Sequence, residues 1–109
     1  MILTLAVGAS PGATGPPRYD VPPGFTRCPA AQALGGFFKW GSVQHATCRA
    51  ASRFIHAYAA RETATGAMPR RLGAYRCRIH YWRNTDGDIY ASRHTCRSGR
   101  VAIRFYGMV

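Results

Sequence analysis

An Asp-Gly dipeptide between two alternating segments is the feature that most restricts how this chain can fold. Residues 74–82 (AYRCRIHYW) place apolar and polar side chains at alternate positions, which predicts a half-buried β-strand. Asp86-Gly87 follows, and Asp-Gly is among the strongest short signals for a β-hairpin. Residues 88–97 are therefore predicted to return as the second strand of an antiparallel pair.

The register of this hairpin brings two of the four cysteines together. If Asp86-Gly87 is a two-residue turn, counting outward sets Cys77 directly opposite Cys96. We therefore expect a Cys77–Cys96 disulfide and, by elimination, a Cys28–Cys48 disulfide, each stabilising the fold by about 2–4 kcal/mol. This register puts the cysteine pair at a hydrogen-bonded site, where side chains diverge, and a β-bulge would relieve the mismatch.

The remaining segments predict one helix and further strands. Residues 47–62 carry an apolar stripe at helical spacing, with Thr47 as N-cap and Gly66 and Pro69 preventing continuation. Short strands are expected within residues 34–44 and over 100–106, the latter after a tight turn at Ser98-Gly99. The predicted fold is α+β, with one helix packed on a three- to four-stranded antiparallel sheet and a disordered N-terminal leader.

The N-terminal residues predict export and a flexible leader. Residues 1–9 (MILTLAVGA) form a short apolar run that ends in small residues, as in a signal peptide. The run lacks the usual preceding basic residues, as expected if part of the signal is missing, and it is too short to span a bilayer. Residues 10–24 are rich in Pro and Gly and predict a mobile leader. Residues 25–109 are predicted to form a small, secreted, monomeric domain, located outside the cell or in the cell envelope, where disulfides persist.

A strongly basic sheet face is the main functional indication. The chain has 15 basic and 4 acidic residues, a net charge of +11, and only one of the basic residues is a lysine. Such a charge favours anionic partners such as nucleic acid or acidic polysaccharide, whereas GC-rich codon usage alone would also favour arginine. Counting across Ser98-Gly99 sets Arg93 opposite Arg104, an unfavourable pairing that a bound anion would relieve. The predicted binding residues are Arg76, Arg78, His80, Trp82, Arg93, Arg97, Arg100, Arg104 and Tyr106.

Three segments resemble a group of small exported bacterial proteins of unknown function. They are residues 41–58 (GSVQHATCRAASRFIHAY), 75–77 (YRC) and 95–105 (TCRSGRVAIRF). The shared pattern is a cysteine that opens an Ala/Arg-rich helix, a later strand cysteine, and a closing cysteine before a basic turn and final strand. The resemblance implies a common core with two disulfides, and no activity. A looser similarity links the chain to secreted proteins of the subtilisin-inhibitor type, although the spacing of the four cysteines departs from theirs.

Other chemistries are weaker alternatives. Cys77 and His80 lie three apart on a strand and point to opposite faces, so we expect no metal site and no cofactor. A secreted ribonuclease would use His80 beside the arginines, but that face offers no second acid or base. A peptidase inhibitor would present loop 63–73 (TATGAMPRRLG), with Met68 or Arg70 as the primary contact. The sequence favours a non-enzymatic protein that binds an anionic polymer, with the inhibitor and then the ribonuclease as alternatives.

Overall fold

The fold is one α-helix packed against one face of an antiparallel β-sheet. The computed structural model describes residues 19–29 and 38–108. The sheet has six strands in the order β1-β2-β6-β5-β4-β3. The elements are β1 (Thr26–Arg27), β2 (Phe38–Gln44), α1 (Cys48–Thr65), β3 (Arg71–Leu72), β4 (Tyr75–Arg83), β5 (Ile89–Ser98) and β6 (Val101–Met108).

The prediction of an α+β fold is confirmed, but the prediction of three to four strands is wrong. The two additional strands are the edge strands Thr26–Arg27 and Arg71–Leu72, which have two residues each. Two residues are too few to display an alternating pattern, so no periodicity signal precedes them. They form only by pairing with β2 and β4, which are themselves fixed by the sheet.

The helix is fixed at both ends by capping contacts. The Thr47 hydroxyl accepts a hydrogen bond from the Ala50 N–H at 3.1 Å, as the N-cap prediction requires. At the other end Gly66 adopts φ 79°, and its N–H donates to the Glu62 carbonyl at 2.8 Å. The helix therefore extends to Thr65, beyond the predicted end at residue 62. Ala51, Ile55 and Tyr58 are buried and join Phe38, Val43, Cys96, Ile103 and Phe105 in the core.

Both disulfides form, Cys28 with Cys48 and Cys77 with Cys96. The hydrogen-bonded setting predicted for the second pair is wrong. The Cys77 N–H donates to the Arg70 carbonyl at 2.8 Å, away from β5, so the pair occupies a non-hydrogen-bonded site where side chains approach closely. The cause lies in the connection between the two strands. It is a loop from Asn84 to Asp88 rather than a two-residue turn, and the register of β4 and β5 shifts between Trp82 and Arg83.

The second hairpin turns one residue later than the sequence predicted. Its turn residues are Gly99 and Arg100, with Ser98 paired to Val101. Gly99 has φ 59° and occupies the first central position, where a type II′ turn requires glycine. The one-residue displacement makes the predicted Arg93–Arg104 pairing wrong.

Tyr19 and Asp20 pack against strands β2 and β6. The Tyr19 ring stacks on Trp40 with 3.8 Å between centroids, and the Tyr106 hydroxyl donates to the Asp20 carboxylate at 3.2 Å. Residues that pack against the sheet thus begin at Tyr19, before the predicted start of the domain at Phe25. The predicted signal-like segment 1–9 and most of the leader 10–24 lie outside the described residues. The described part of the chain contains no helix with the length and apolarity needed to cross a membrane.

Candidate functional site

The sheet face opposite the helix is lined by basic side chains in cross-strand rows. Arg78, Thr95 and Arg104 face one another on β4, β5 and β6. In the adjacent rows His80 pairs with Arg93, and Arg76 with Arg97. Their alternation along each strand places all of these side chains on one side of the sheet. We call this surface the basic face; it consists of Arg76, Arg78, His80, Arg93, Thr95, Arg97 and Arg104.

The basic face encloses an open cleft of about 520 Å³. Four guanidinium groups and one imidazole line it, together with the Thr95 hydroxyl. Ile79, which lies between Arg78 and His80 on β4, also borders the cleft. The lining residues are Arg78, Ile79, His80, Arg93, Thr95, Arg97 and Arg104. This composition suits a ligand that carries several negative charges.

No carboxylate lines this cleft, although all four acidic residues of the chain are described. Glu62 is on the helix, on the other side of the sheet. Asp86 and Asp88 are in the loop between β4 and β5, where their N–H groups bond to the Asn84 side chain. Asp20 lies nearest, at the edge of the face, where its carboxylate accepts from Tyr106. The cleft arginines therefore have no internal counter-charge within the cleft.

Aromatic and hydroxyl contacts hold three of the arginines in place. Arg104 Nε donates to Thr95 Oγ1 at 3.1 Å. The Arg93 guanidinium lies 5.7 Å from the centre of the Trp82 ring. The Arg97 and Arg104 guanidiniums lie 5.9 Å and 6.0 Å from the Phe25 ring. These distances are in the range of cation–π contacts, which reduce the freedom of the long side chains.

Cationic side chains also face one another directly. Arg76 and Arg97 are cross-strand partners, and both are exposed. Like charges in directly opposed positions are unfavourable, although solvent and salt reduce the cost. The repulsion that the sequence predicted between Arg93 and Arg104 thus occurs at a different pair. An anion bound between these guanidiniums would relieve it.

Three of the nine predicted binding residues lie outside the basic face: Trp82 borders it, whereas Arg100 and Tyr106 do not contribute to it. Arg100 occupies the turn between β5 and β6, so it leaves the row of strand side chains. Tyr106 lies opposite Arg93 but is only 1% exposed, because Tyr19 and Asp20 pack against it. Burial raises the pKa of Tyr106, and the nearby Arg104 charge partly opposes this rise. Tyr106 is therefore not available as a stacking platform.

Acid–base chemistry finds little support on the basic face. His80 lines the cleft and contacts the Trp82 ring at 4.6 Å, but no carboxylate or second histidine accompanies it there. A Ser92–His94 hydrogen bond of 2.7 Å exists elsewhere, on the helix side of the sheet. Both residues are almost fully buried, so this pair cannot reach a substrate.

The cysteines and histidines of the β4–β5 hairpin, which are residue types that can bind zinc, do not converge on one point. Cys77 and Cys96 bond to each other, while His80 and His94 lie on opposite faces of the sheet. Within residues 19–29 and 38–108 no group of three or more His, Cys, Asp or Glu side chains is placed to hold a metal ion.

The loop considered for peptidase inhibition is held against the body of the domain. Met68 is half-buried and packs on the core. The Pro69 carbonyl accepts from the Tyr58 hydroxyl at 2.8 Å, and the Arg70 carbonyl accepts from the Cys77 N–H. Arg70 keeps an exposed side chain, whereas Met68 is not presented to solvent as a primary contact would be.

Sequence reasoning missed Thr95, which is part of the basic face, and Phe25, whose ring contacts two of its arginines. Thr95 lies between Arg93 and Arg97 at the spacing of two that defines the face, so the alternation itself could have revealed it. Phe25 has no such signal, because its position depends on the pairing of β1 with β2. No protein-family model, curated protein or solved structure matches this chain.

Proposed function

We propose that this is a secreted, non-enzymatic protein that binds an anionic polymer through its basic face. The observation that carries the proposal is a cleft lined by four arginines and by no carboxylate. A single small anion would engage one or two of these groups, whereas a polymer presents charges at intervals and can engage all of them. Arginine suits this task because its planar fork of donors matches phosphate and sulfate oxygens.

Secretion is part of the same proposal and is supported by the two disulfides. Disulfides form and persist in oxidising compartments, outside the cell or in the bacterial envelope. The signal-like residues 1–9 agree with that location. Acidic polysaccharides and released nucleic acids are the anionic polymers expected there.

The test measures binding of the full chain to a fluorescent single-stranded oligonucleotide and to fluorescent heparin across a salt series. Four phosphate contacts predict that log K falls with log salt with a slope of about −3 for a single strand. In the double variant Arg93→Glu/Arg104→Glu we expect affinity to fall more than tenfold and the slope to flatten. No binding at low salt would overturn the proposal.

A matched control separates the basic face from net charge. The double variant Arg49→Glu/Arg53→Glu changes the net charge by the same amount, but at two exposed positions on the helix. We expect it to change affinity less than threefold, since those residues lie on the opposite side of the sheet. Equal losses in the two double variants would show that total charge, and not the basic face, governs binding.

A further inference from the structure

Trp82 borders one end of the basic face. It lies on β4, two residues after His80, and is half-buried. Its ring contacts the His80 ring, and the Arg93 guanidinium lies over it. An indole in this position has apolar surface beside the charged cleft, and it is held by neighbours that themselves line the cleft.

Phe25 borders the other end. It immediately precedes β1 at the opposite edge of the sheet and is also half-buried. Arg97 and Arg104 both approach its ring within about 6 Å. The Cys28–Cys48 disulfide ties this segment to the start of the helix, so Phe25 is positioned by a covalent constraint close in sequence.

Trp82 and Phe25 come from strands, or from a residue next to a strand, that are well separated across the sheet. β1 and β4 are four inter-strand spacings apart in the sheet order. At about 4.8 Å per spacing, their backbones lie on the order of 20 Å apart. Arg93 lies at the Trp82 ring, and Arg97 and Arg104 lie at the Phe25 ring, so an extended chain that passes from one ring to the other meets two aromatic surfaces and a series of cations.

We infer that the anionic polymer is a single-stranded nucleic acid, with one base stacking on Trp82 and another on Phe25. This inference rests on the proposed function and names the class of polymer. Positive grooves combined with aromatic platforms are how proteins bind single strands without sequence preference. A nucleotide supplies both required groups, a phosphate for arginine and a flat base for the ring.

Two other polyanions fit the arrangement less well. A sulfated polysaccharide offers charge to the arginines, but its sulfates and hydroxyls leave little flat apolar surface for two aromatic rings. A nucleic acid duplex offers phosphates, but its bases are stacked on one another and their faces are not accessible. Only an unpaired strand uses every part of the surface.

The test compares the variants Trp82→Leu and Phe25→Leu with the unmodified full chain, using oligo(dT), heparin and duplex DNA at one salt concentration. Loss of one base stack predicts that each variant binds oligo(dT) about 5- to 150-fold more weakly. Heparin affinity is expected to fall less than oligo(dT) affinity, because heparin loses only the ordering of the arginines by the ring and no base stack. Tyr81→Leu is the matched control, because Tyr81 is half-buried on the same strand but on the other face, and we expect unchanged oligo(dT) affinity.

The outcomes distinguish base stacking on the two rings from polyanion binding by the basic face. Equal losses for oligo(dT) and heparin in the aromatic variants would overturn base stacking and leave polyanion binding intact. Duplex DNA binding as tightly as oligo(dT) would also overturn it. Failure of the unmodified protein to bind any of the three probes would overturn the proposed function itself.

A fluorescence measurement tests the stacking at Trp82 directly. The chain has two tryptophans, Trp40 and Trp82, so Trp40→Phe leaves Trp82 as the single indole. Stacking on a base is expected to quench its emission as oligo(dT) saturates the protein, whereas heparin should leave the emission unchanged. Binding of oligo(dT) without quenching would exclude Trp82 as a stacking platform.

Discussion

The Tyr58 hydroxyl lies 2.9 Å from Nδ1 of His94 in the core between the helix and the sheet. Tyr58 has one hydroxyl proton and donates it to the Pro69 carbonyl at 2.8 Å. His94 Nδ1 must therefore carry a proton and donate to Tyr58, which leaves Nε2 to accept from the Ser92 hydroxyl at 2.7 Å. This chain of hydrogen bonds satisfies a neutral histidine completely, whereas protonating Nε2 would put a charge into the core and require the Ser92 hydroxyl to turn and accept instead of donate.

We predict that folding stability falls below pH 6.5 because of His94. Burial lowers the pKa of His94 to about 3 in the folded protein, while in the unfolded chain it has the ordinary value of 6.5. Between these two pKa values the unfolded state binds one more proton than the folded state. The contribution of neutral His94 to the free energy of unfolding is therefore fully present above pH 6.5, and it decreases by about 1.4 kcal/mol per pH unit as the pH falls below 6.5. Denaturant unfolding with intact disulfides at pH 7.5 and 5.0 should differ by about 2 kcal/mol.

Two variants check the assignment of this pH dependence. His94→Phe is expected to lower stability at pH 7.5, since Ser92 loses its buried partner, but to remove most of the dependence on pH. His80→Gln, at an exposed position, is expected to retain it. A His94→Phe protein with the same pH dependence as the unmodified chain would contradict the prediction.

Local patterns predicted the centre of the sheet, whereas its edges depend on contacts distant in sequence. Counting outward from Asp86-Gly87 aligned Cys77 with Cys96 correctly, because the longer loop and the register shift beside Trp82 together leave the two cysteines opposite each other. The turn at Gly99 was displaced by one residue, because a glycine at the first position of a type II′ turn and one at the second position look alike in the sequence. Such a displacement changes every cross-strand pair beyond the turn.

Local alternation also predicted which arginines line the basic face. The residue that it placed wrongly, Tyr106, is covered by residues that are distant in sequence. Arg78, Arg93 and Arg104 follow from the alternation of their own strands. The burial of Tyr106 depends on Tyr19 and Asp20, which are more than eighty residues away in sequence. No periodicity in β6 distinguishes a covered tyrosine from an exposed one.

We predict that the two disulfides contribute nearly equally to stability. They join residues separated by 20 and 19 positions, so in the chain-entropy treatment each restricts the unfolded chain by about 3 kcal/mol. The paired variants Cys28→Ala/Cys48→Ala and Cys77→Ala/Cys96→Ala should therefore unfold at similar denaturant concentrations, both lower than that of the unmodified chain. A difference of more than about 2 kcal/mol would show that native packing, and not the unfolded chain, dominates one of them.

The two disulfides are expected to differ in their local effect. The Cys28 N–H donates to the Gly41 carbonyl at 2.9 Å, and this bond helps to hold the two-residue strand β1 at the sheet edge. Loss of Cys28–Cys48 should accelerate hydrogen exchange at this amide more than the change in global stability does. Loss of Cys77–Cys96 should accelerate it only in proportion to global stability.

We predict that Asp20 weakens polyanion binding from the edge of the basic face. The Asp20 carboxylate accepts a hydrogen bond from the Tyr106 hydroxyl. Arg93 and Arg104 also act electrostatically on that hydroxyl, so the negative charge of Asp20 lies close to both arginines. Asp20→Asn preserves an acceptor for Tyr106 but removes the charge. Heparin affinity at low salt is expected to rise about two- to fivefold, and the gain should shrink as salt is added.

Glu62→Gln is the control for this prediction, since it produces the same change in net charge from the helix side of the sheet. It should leave heparin affinity unchanged within error, because the charge it removes lies behind the sheet from the arginines. An equal gain in both variants would mean that heparin responds to net charge alone. A gain restricted to Asp20→Asn places the bound polyanion next to Tyr106, at the end of the face where residues 19 and 20 cross the sheet.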